Sequence, residues 1–517
     1  MSDIKLARIK NAEPLSLDSL PILNTREFQD AVIASVAKGA RLAALFGLPA
    51  RIGKAVSASM DIVTIIAVLI RGDKGVTEVA GTEVKDSYPA LTGHIVQAHL
   101  FEREIAEQWG VRPEGHPWLK PIRFHKGCRP GKDVWARPEN EEISPGVTDF
   151  FRVEGEEVHE VAVGPVHAGV IEPGHFRFQC HGERVFHLEI SLGYQHRGVE
   201  NALINGPDKR SIHYIETLAG DTTAGHALAY CQAVEALCGH KISARAEEIR
   251  AIALELERCA NHTGDLGALA GDVGFLPTAS YCGALRGDFL NMTALICGNR
   301  FGRNLIRPGG VIFDLDGIKT DELMARLEKT FAGVKGAAGL LWETQSVIAR
   351  FEDTGRLSKK MCRHLGLVGV AARACGVPLD IRSELPAGAY TKNRPAVCTF
   401  KTGDVYARAY IRWLEIERSF HFIKDRVENL AKDGAKTGMP VNPARNNSLV
   451  VSCVEGWRGE ICHVAITGDD GRFVRYKVVD PSFHNWMGLQ MALRNQQISD
   501  FPLCNKSFNL SYCGHDL

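Results

Sequence analysis

The chain has 517 residues, of which 45% are hydrophobic and 24% charged. That is the composition of a globular protein large enough for more than one core. Its 61 basic and 61 acidic residues cancel, so the charge balance gives no case for nucleic acid or an anionic membrane surface as a partner.

No apolar h-region follows Met1-Ser2-Asp3-Ile4-Lys5, so no secretory leader is expected. Residues 25 to 125 read as a small α+β domain. Phe28 to Phe46, rich in Ala and Leu, reads as helix. Ala58 to Arg71 and Gly75 to Val84 are strand-like. The most apolar run, Ile62 to Ile70, suits a buried strand and is too short to span a bilayer, so attachment to a membrane would need other subunits. Ala90 to Trp109 carries helix formers, and Gly110 to Pro117 has turn chemistry. Between residues 126 and 149 Gly, Pro and charged residues cluster, as in Arg129-Pro130-Gly131. The domains are drawn at 1–130, a linker at 131–149 and a second domain at 150–517. No period of repeat length recurs.

Beyond residue 150, Glu157 to Val163, Phe176 to Cys180 and Arg184 to Ile190 read as strands. Asp208 to Arg303 reads as mostly helical. Ser243 suits an N-cap, Glu247 and Glu248 suit the first-turn dipole, and Ile249, Ile252, Ala253 and Leu256 form an apolar stripe. Arg258, His262, Asp265, Leu269 and Asp272 would share one face if that helix continues unbroken past Gly264, Gly267 and Gly271. Leu323 to Glu352 and Asp404 to Leu430 read as helical. Ser448 to Val479 reads as strands with a turn at Gly468-Asp469-Asp470-Gly471. Phe508 and Tyr512 predict a docked tail. The expected class is α+β: a small N-terminal α+β domain, then a mainly α-helical domain with peripheral β-strands.

The fourteen cysteines are scattered without a CxxC. Most are expected to be buried small hydrophobes, with Cys504 and Cys513 as the expected exceptions. A single such pair is too few for a zinc or iron–sulfur site. Neither GxGxxG nor GxxxxGK[ST] occurs, so no nucleotide site is expected.

Several motifs recur in one order along the chain. Tyr88-Pro89-Ala90-Leu91-Thr92, Phe101-Glu102-Arg103-Glu104 and Glu114-Gly115-His116-Pro117 resemble the small hydrophilic subunit of respiratory complex I. Gly164-Pro165-Val166-His167, Gly193-Tyr194-Gln195-His196-Arg197-Gly198-Val199-Glu200, Glu257-Arg258-Cys259-Ala260-Asn261-His262 and Ile306-Arg307-Pro308-Gly309-Gly310-Val311 resemble the quinone-site large subunit and its relatives in membrane-bound [NiFe]-hydrogenases. The fused order is similar to formate-hydrogenlyase-type large subunits. In that family two segments supply metal-binding cysteines. Here they read Glu216-Thr217-Leu218-Ala219-Gly220-Asp221-Thr222-Thr223-Ala224-Gly225-His226 and Asp480-Pro481-Ser482-Phe483-His484-Asn485. Ala219, Thr222, Ser482 and Asn485 stand in the four cysteine slots. Nickel and iron need thiolates there, so the resemblance implies a hydrogenase scaffold without hydrogen chemistry and no metal bound by this chain.

By the same resemblance Tyr214 and a histidine would face a quinone headgroup, with Asp272 partnering the histidine. His167 and His175 both suit that place; His175 is favoured because strand-like Phe176-Arg177-Phe178 follows it. A tyrosine and a histidine can each hydrogen-bond a quinone oxygen and pass it a proton. His196, Arg258 and Arg307 read first as structural, and by resemblance as residues near a cluster-bearing neighbour. The expected cofactors are a possible quinone here and [4Fe–4S] clusters on partner subunits. The expected partners are a [4Fe–4S] small subunit, a ferredoxin-like subunit, and antiporter-like and other membrane subunits, with the chain peripheral on the cytoplasmic side. Two functions follow: a quinone-reduction or redox-coupling chamber in a complex I-like ion-translocating complex, or a catalytically empty scaffold between redox module and pump. An open chamber reached by the Tyr–His–Asp trio would favour the first, and bulky filling side chains the second.

Overall fold

The computed structural model describes residues 6–48, 61–138, 140–167, 171–431 and 442–517. Three short strands open the chain: β1 (Ala7–Ile9), β2 (Leu15–Ser16) and β3 (Ile22–Leu23). Helix α1 (Thr25–Ala37) starts at Asn24, whose side chain accepts from the Glu27 N–H. The helix expected over Phe28 to Phe46 is corrected here. It stops at Ala37, Gly39 turns the chain at φ +95°, and Arg41–Leu48 is the fully buried strand β4. Ala and Leu suit both structures; the glycine break separates them. β5 (Val63–Arg71) and β6 (Val76–Val84) complete a sheet in the order β1-β6-β5-β4, with β3 parallel on β6. The expected start of β5 at Ala58 lies outside the described residues. β7 (Ser87–Pro89) pairs in parallel with β8 (Arg112–Glu114), a strand inside the expected turn region. The helix expected from Ala90 begins only at His99, as α2 (His99–Trp109), because Glu102 holds the N–H groups of Leu91 and Thr92 at 2.7 and 3.0 Å in a loop.

The second part opens with the three expected strands, β9 (Val158–Val163), β10 (His175–His181) and β11 (Arg184–Ser191), which pair into an antiparallel sheet with β10 central. Helices α3 (Val199–Ala202), α4 (Ser211–Ile215), α5 (Thr223–Cys238), α6 (Ala244–Asp272) and α7 (Leu276–Cys297) follow. Ser243 caps α6 as expected, and α6 is unbroken. Its glycines serve packing: a Cβ at Gly267 would stand 2.8 Å from the Cβ of Cys282, so bare backbone lets α7 approach. The hairpin β12 (Ile306–Arg307) and β13 (Gly310–Val311) leads to α8 (Gly317–Glu343) and α9 (Gln345–Phe351). The single helical region expected over 323–352 is thus two helices, parted at Thr344, whose ψ of 103° is extended. Short helices α10 (Lys359–Leu365), α11 (Gly369–Ala374) and α12 (Ile381–Glu384) precede α13 (Val405–Glu428), which Asp404 caps.

The chain closes with β14 (Ser448–Glu455), β15 (Glu460–Thr467), β16 (Phe473–Val479), α14 (Pro481–Ala492), α15 (Phe501–Phe508) and α16 (Tyr512–Asp516). These strands pair in the order β16-β15-β14-β2. The α+β expectation holds, and this sheet lies deeper than a peripheral position. Val450, Val454, Ile461 and Ala465 face a core built from α5, α6 and α7. Leu449, Val451, Val464 and Ile466 face the core of the N-terminal sheet. Strand alternation sends neighbouring residues into opposite cores. The tail is docked, with Phe508, Tyr512 and Leu517 buried. Cys504, expected as an exception among the cysteines, is fully buried beneath Gly355 and Arg408. No helix among the described residues is long and apolar enough to cross a membrane.

Candidate functional site

The β14–β15 turn places Trp457 and Arg458 against the N-terminal end of α5. Gly456 and Gly459 exchange backbone hydrogen bonds of 2.8 and 3.1 Å, which leaves the two side chains between them projecting from a tight tip. The tip rests on Gly369, at φ +64°, where any side chain would collide with the Arg458 carbonyl. Arg458 grips Asp221 with both terminal nitrogens, at 2.6 and 2.8 Å. It also donates to Thr222 Oγ1 at 3.2 Å and to the Asn509 carbonyl at 2.6 Å, and lies 3.9 Å over the Trp457 ring. Trp457 Nε1 donates to the Asp221 carbonyl and to Thr222 Oγ1. Burial alone would raise the Asp221 pKa, but the Arg458 guanidinium holds it below the usual carboxylate range.

The four positions read as cysteine slots lie buried around this tip and beside it. Ala219 has no donor atom. Thr222 is engaged by Trp457 and Arg458. Ser482 Oγ accepts from the Ser511 N–H at 2.8 Å. Asn485 bonds both backbone groups of Val368, at 3.0 and 3.1 Å. Behind them runs a polar chain: Asp480 to His226 at 3.1 Å, His226 to His463 at 3.1 Å, and His463 to the Tyr476 hydroxyl at 2.9 Å. Burial drives the His463 pKa well down, so that ring is neutral. Among the described residues no group of three or more His, Cys, Asp or Glu side chains is arranged to hold a metal ion.

A ladder of buried charge continues along α6. Arg258 bonds Glu255 at 3.1 Å and the carbonyls of Glu455 and Gly456, at the base of the tip. Glu415 joins His262, at 2.8 Å, to Arg373, also at 2.8 Å. Arg373 meets Glu455 at 2.7 Å, and Arg382 bridges Glu255 and Asp380. Two carboxyls here are pushed upward. Burial raises the Glu455 pKa against the opposing pull of Arg373. It raises Glu257 to about 8, although that side chain accepts from the first N–H groups of α5, Ala224 at 2.7 Å and Gly225 at 3.2 Å.

The residues expected to form the site are dispersed. Tyr214, on α4, is 40% exposed, and its hydroxyl bonds nothing among the described residues. His175 starts β10, 8% exposed, its Nδ1 on the Gly164 carbonyl at 3.1 Å and its Nε2 accepting from Arg177 at 3.1 Å; burial lowers its pKa. His167 contacts the Gly174 carbonyl at 3.0 Å. Asp272 is the exposed last residue of α6. It pairs with neither Arg258 nor Arg307; Arg307 takes Glu216 at 2.7 Å. His196 bonds the Asp516 carbonyl and stacks on His125. No hydrogen bond joins Tyr214, His175 and Asp272. Trp457, Arg458, Glu257 and His463 carry the observed site and were missed. The signal for the first two was Glu455-Gly456-Trp457-Arg458-Gly459-Glu460, two glycines around an arginine between strands, which marks a tight hairpin with a displayed cation.

Comparison with known proteins agrees with this architecture. Residues 272–448 match the family model of the respiratory-chain NADH dehydrogenase 49 Kd subunit, and residues 43–134 that of its 30 Kd subunit. The carbon monoxide-induced hydrogenase of Rhodospirillum rubrum is 30% identical over 352 residues, covering 68% of this chain and 97% of its own length. Formate hydrogenlyase subunit 5 of Escherichia coli is 28% identical, with 83% of this chain and 76% of its own covered. An NADH-quinone oxidoreductase subunit of Solibacter usitatus is 28% identical, with 65% and 91% covered.

Proposed function

Because the chain belongs to the family that unites the complex I 49 Kd subunit with these hydrogenase subunits, we propose that it is the large subunit of a complex I-like, membrane-associated redox complex and does not itself activate hydrogen. The observation that carries this is the closed Arg458–Asp221 pair, with Thr222 and Trp457, at the place the resemblance gives to nickel and iron. The residues there do not fit such a centre. Ala219 offers no ligand atom, and the polar groups of Thr222, Ser482 and Asn485 are spent on protein hydrogen bonds. What the cluster offers instead is exchangeable charge. Glu257 and Glu455 flank Arg258; burial lifts Glu257 to about 8 and pushes Glu455 upward against the pull of Arg373, so Glu257 above all can take or lose a proton when nearby charge changes. Electrons reaching a [4Fe–4S] small subunit would supply that change, and ferredoxin-like and antiporter-like subunits would complete the complex. The test is the metal content and hydrogen uptake of the purified complex. Nickel below one-tenth per complex and no hydrogen uptake support the reading; stoichiometric nickel with uptake ends it.

A second reading, quinone reduction, rests on the exposed Tyr214 hydroxyl, unpartnered among the described residues. A quinone would take two electrons from the partner's cluster and two protons, one through the Tyr214 hydroxyl and one from solvent, leaving quinol; His175, a neutral ring held by Gly164 and Arg177, has no proton to add. Loss of quinol formation in Tyr214→Phe, with the complex still assembled, supports it; an unchanged rate removes it.

A further inference from the structure

A cleft of about 260 Å³ lies where α2, the β9–β11 sheet and the C-terminal helices meet. Leu100, Trp118, Phe151, Leu192, Trp486 and Met487 give it apolar walls. A cavity of roughly 150 Å³ accepts benzene, so this one has room for a two-ring aromatic body or a chain of similar bulk.

Arg103 borders the same cleft. Its Nε donates to the Lys120 carbonyl at 2.9 Å and its Nη2 to the Pro121 carbonyl at 2.7 Å. It forms no ion pair among the described residues, whereas the buried Arg250, Arg373 and Arg382 each meet a carboxylate. Burial lowers its pKa to about 10, only partly offset by the Glu189 and Glu107 carboxylates, neither of which contacts it, the mark of a cation stripped of water without a counter-charge in contact. The one carboxylate on the wall, Glu189, is committed to Lys120 at 2.6 Å and to the Phe151 N–H at 2.8 Å. The imidazoles add no charge. His116 donates from Nε2 to the His99 carbonyl and accepts at Nδ1 from the Trp118 N–H, each at 3.1 Å, which is the neutral tautomer. Burial lowers the pKa of His99, His187 and His515 as well. Arg103 therefore lines a largely apolar chamber, and its Nη1 has no hydrogen-bond partner among the described residues.

We propose that this cleft is a binding site for an apolar monocarboxylate, its carboxylate on Nη1 of Arg103 and its hydrocarbon body between Trp118, Phe151 and Trp486. The pairing supplies the counter-charge that Arg103 lacks, in a site where water competes weakly.

The test is calorimetric titration of the full chain with 2-naphthoate and with its neutral isostere 2-naphthamide. The acid should bind at least tenfold more tightly than the amide. Arg103→Met should abolish that preference, and Leu100→Trp, which fills the cleft and leaves the guanidinium intact, should weaken both ligands tenfold or more. Equal affinity for acid and amide, no binding of the acid at millimolar concentration, or a preference that survives Arg103→Met overturns the proposal.

Discussion

Glu257 gives the sharpest quantitative test of the site. Its carboxyl sits at about 8 in the folded chain against an ordinary value of 4.5. Between those values the folded chain holds a proton that the unfolded chain has lost, so stability falls as pH rises through this window and levels off above about 8. Each pH unit is worth about 1.4 kcal/mol, so the full window amounts to at most about 5 kcal/mol. Glu257→Gln removes the titration. It also turns an amide N–H toward one of the α5 N–H groups that Glu257 accepts, Ala224 or Gly225, a loss of about 1 kcal/mol. At pH 5.5 the two effects nearly cancel, and the variant should match the wild type within about 1 kcal/mol. At pH 8.5 the variant should be more stable by about 3–4 kcal/mol. Melting temperatures of both proteins from pH 5.5 to 8.5 measure this, with an expected gap of about 3–6 °C at the alkaline end for a chain of this size. Other titrating groups are common to both proteins and cancel in the difference. Parallel profiles would mean that Glu257 is ionised in the folded chain, and the account of a proton-holding site would be wrong.

Asp221→Ala leaves the Arg458 guanidinium, 5% exposed at its side chain, without a carboxylate; the expected loss is about 3 kcal/mol, read from the denaturation midpoint, with partial recovery when Arg458→Met is added. Gly369→Ala forces a side chain onto φ +64° and into the Arg458 carbonyl. A loss of about 2–3 kcal/mol is expected, with faster hydrogen exchange across residues 455–460 in mass spectrometry; unchanged exchange would show that the tip does not lean on Gly369. Tyr214→Phe removes an exposed hydroxyl without a partner among the described residues, so stability should stay within about 0.5 kcal/mol. Equal melting temperatures would then license reading any change in quinone reduction as chemistry.

Local chemistry made much of the architecture readable. Ser243 and Asp404 cap their helices through side-chain oxygens, and the three runs after residue 150 rich in β-branched and aromatic residues are strands. Readings failed where long-range packing chose between two locally acceptable structures. Arg41 to Leu48 could be helix by composition; it is strand because β5 pairs with it. The glycines of α6 looked like breaks and are contact points, which only the position of α7 reveals. The site divides the same way. The resemblance assigns four residues to cysteine slots, but what surrounds them could not be read. Arg458 lies more than two hundred residues from Asp221 in sequence, and nothing local to either announces the pair. The pKa of Glu257 is likewise a property of burial and of a helix start thirty residues away, so no motif encodes it.

The fused N-terminal domain bears directly on this site. Asn11 bonds both backbone groups of Cys453, at 2.8 and 2.9 Å, and Arg41 reaches Glu460 at 2.5 Å while also holding Glu384 at 2.7 Å. Those contacts fall near the end of β14 and at the start of β15, the two strands that carry the Trp457–Arg458 tip. Further along the sheet, Lys477 of β16 bridges Glu104 of α2 and Glu200 of α3, at 2.6 and 3.0 Å, and Arg475 adds Glu200 at 3.0 Å. Buried pairs of this kind return little net stability, because desolvation offsets their attraction. They do penalise any shift of one layer against the other, since a displaced partner leaves an unpaired buried charge. A change in charge at the tip therefore meets a hairpin held from the N-terminal side by Asn11 and Arg41 and from the helical side by Arg258. Motion of the tip would strain its contacts with both the N-terminal domain and α6.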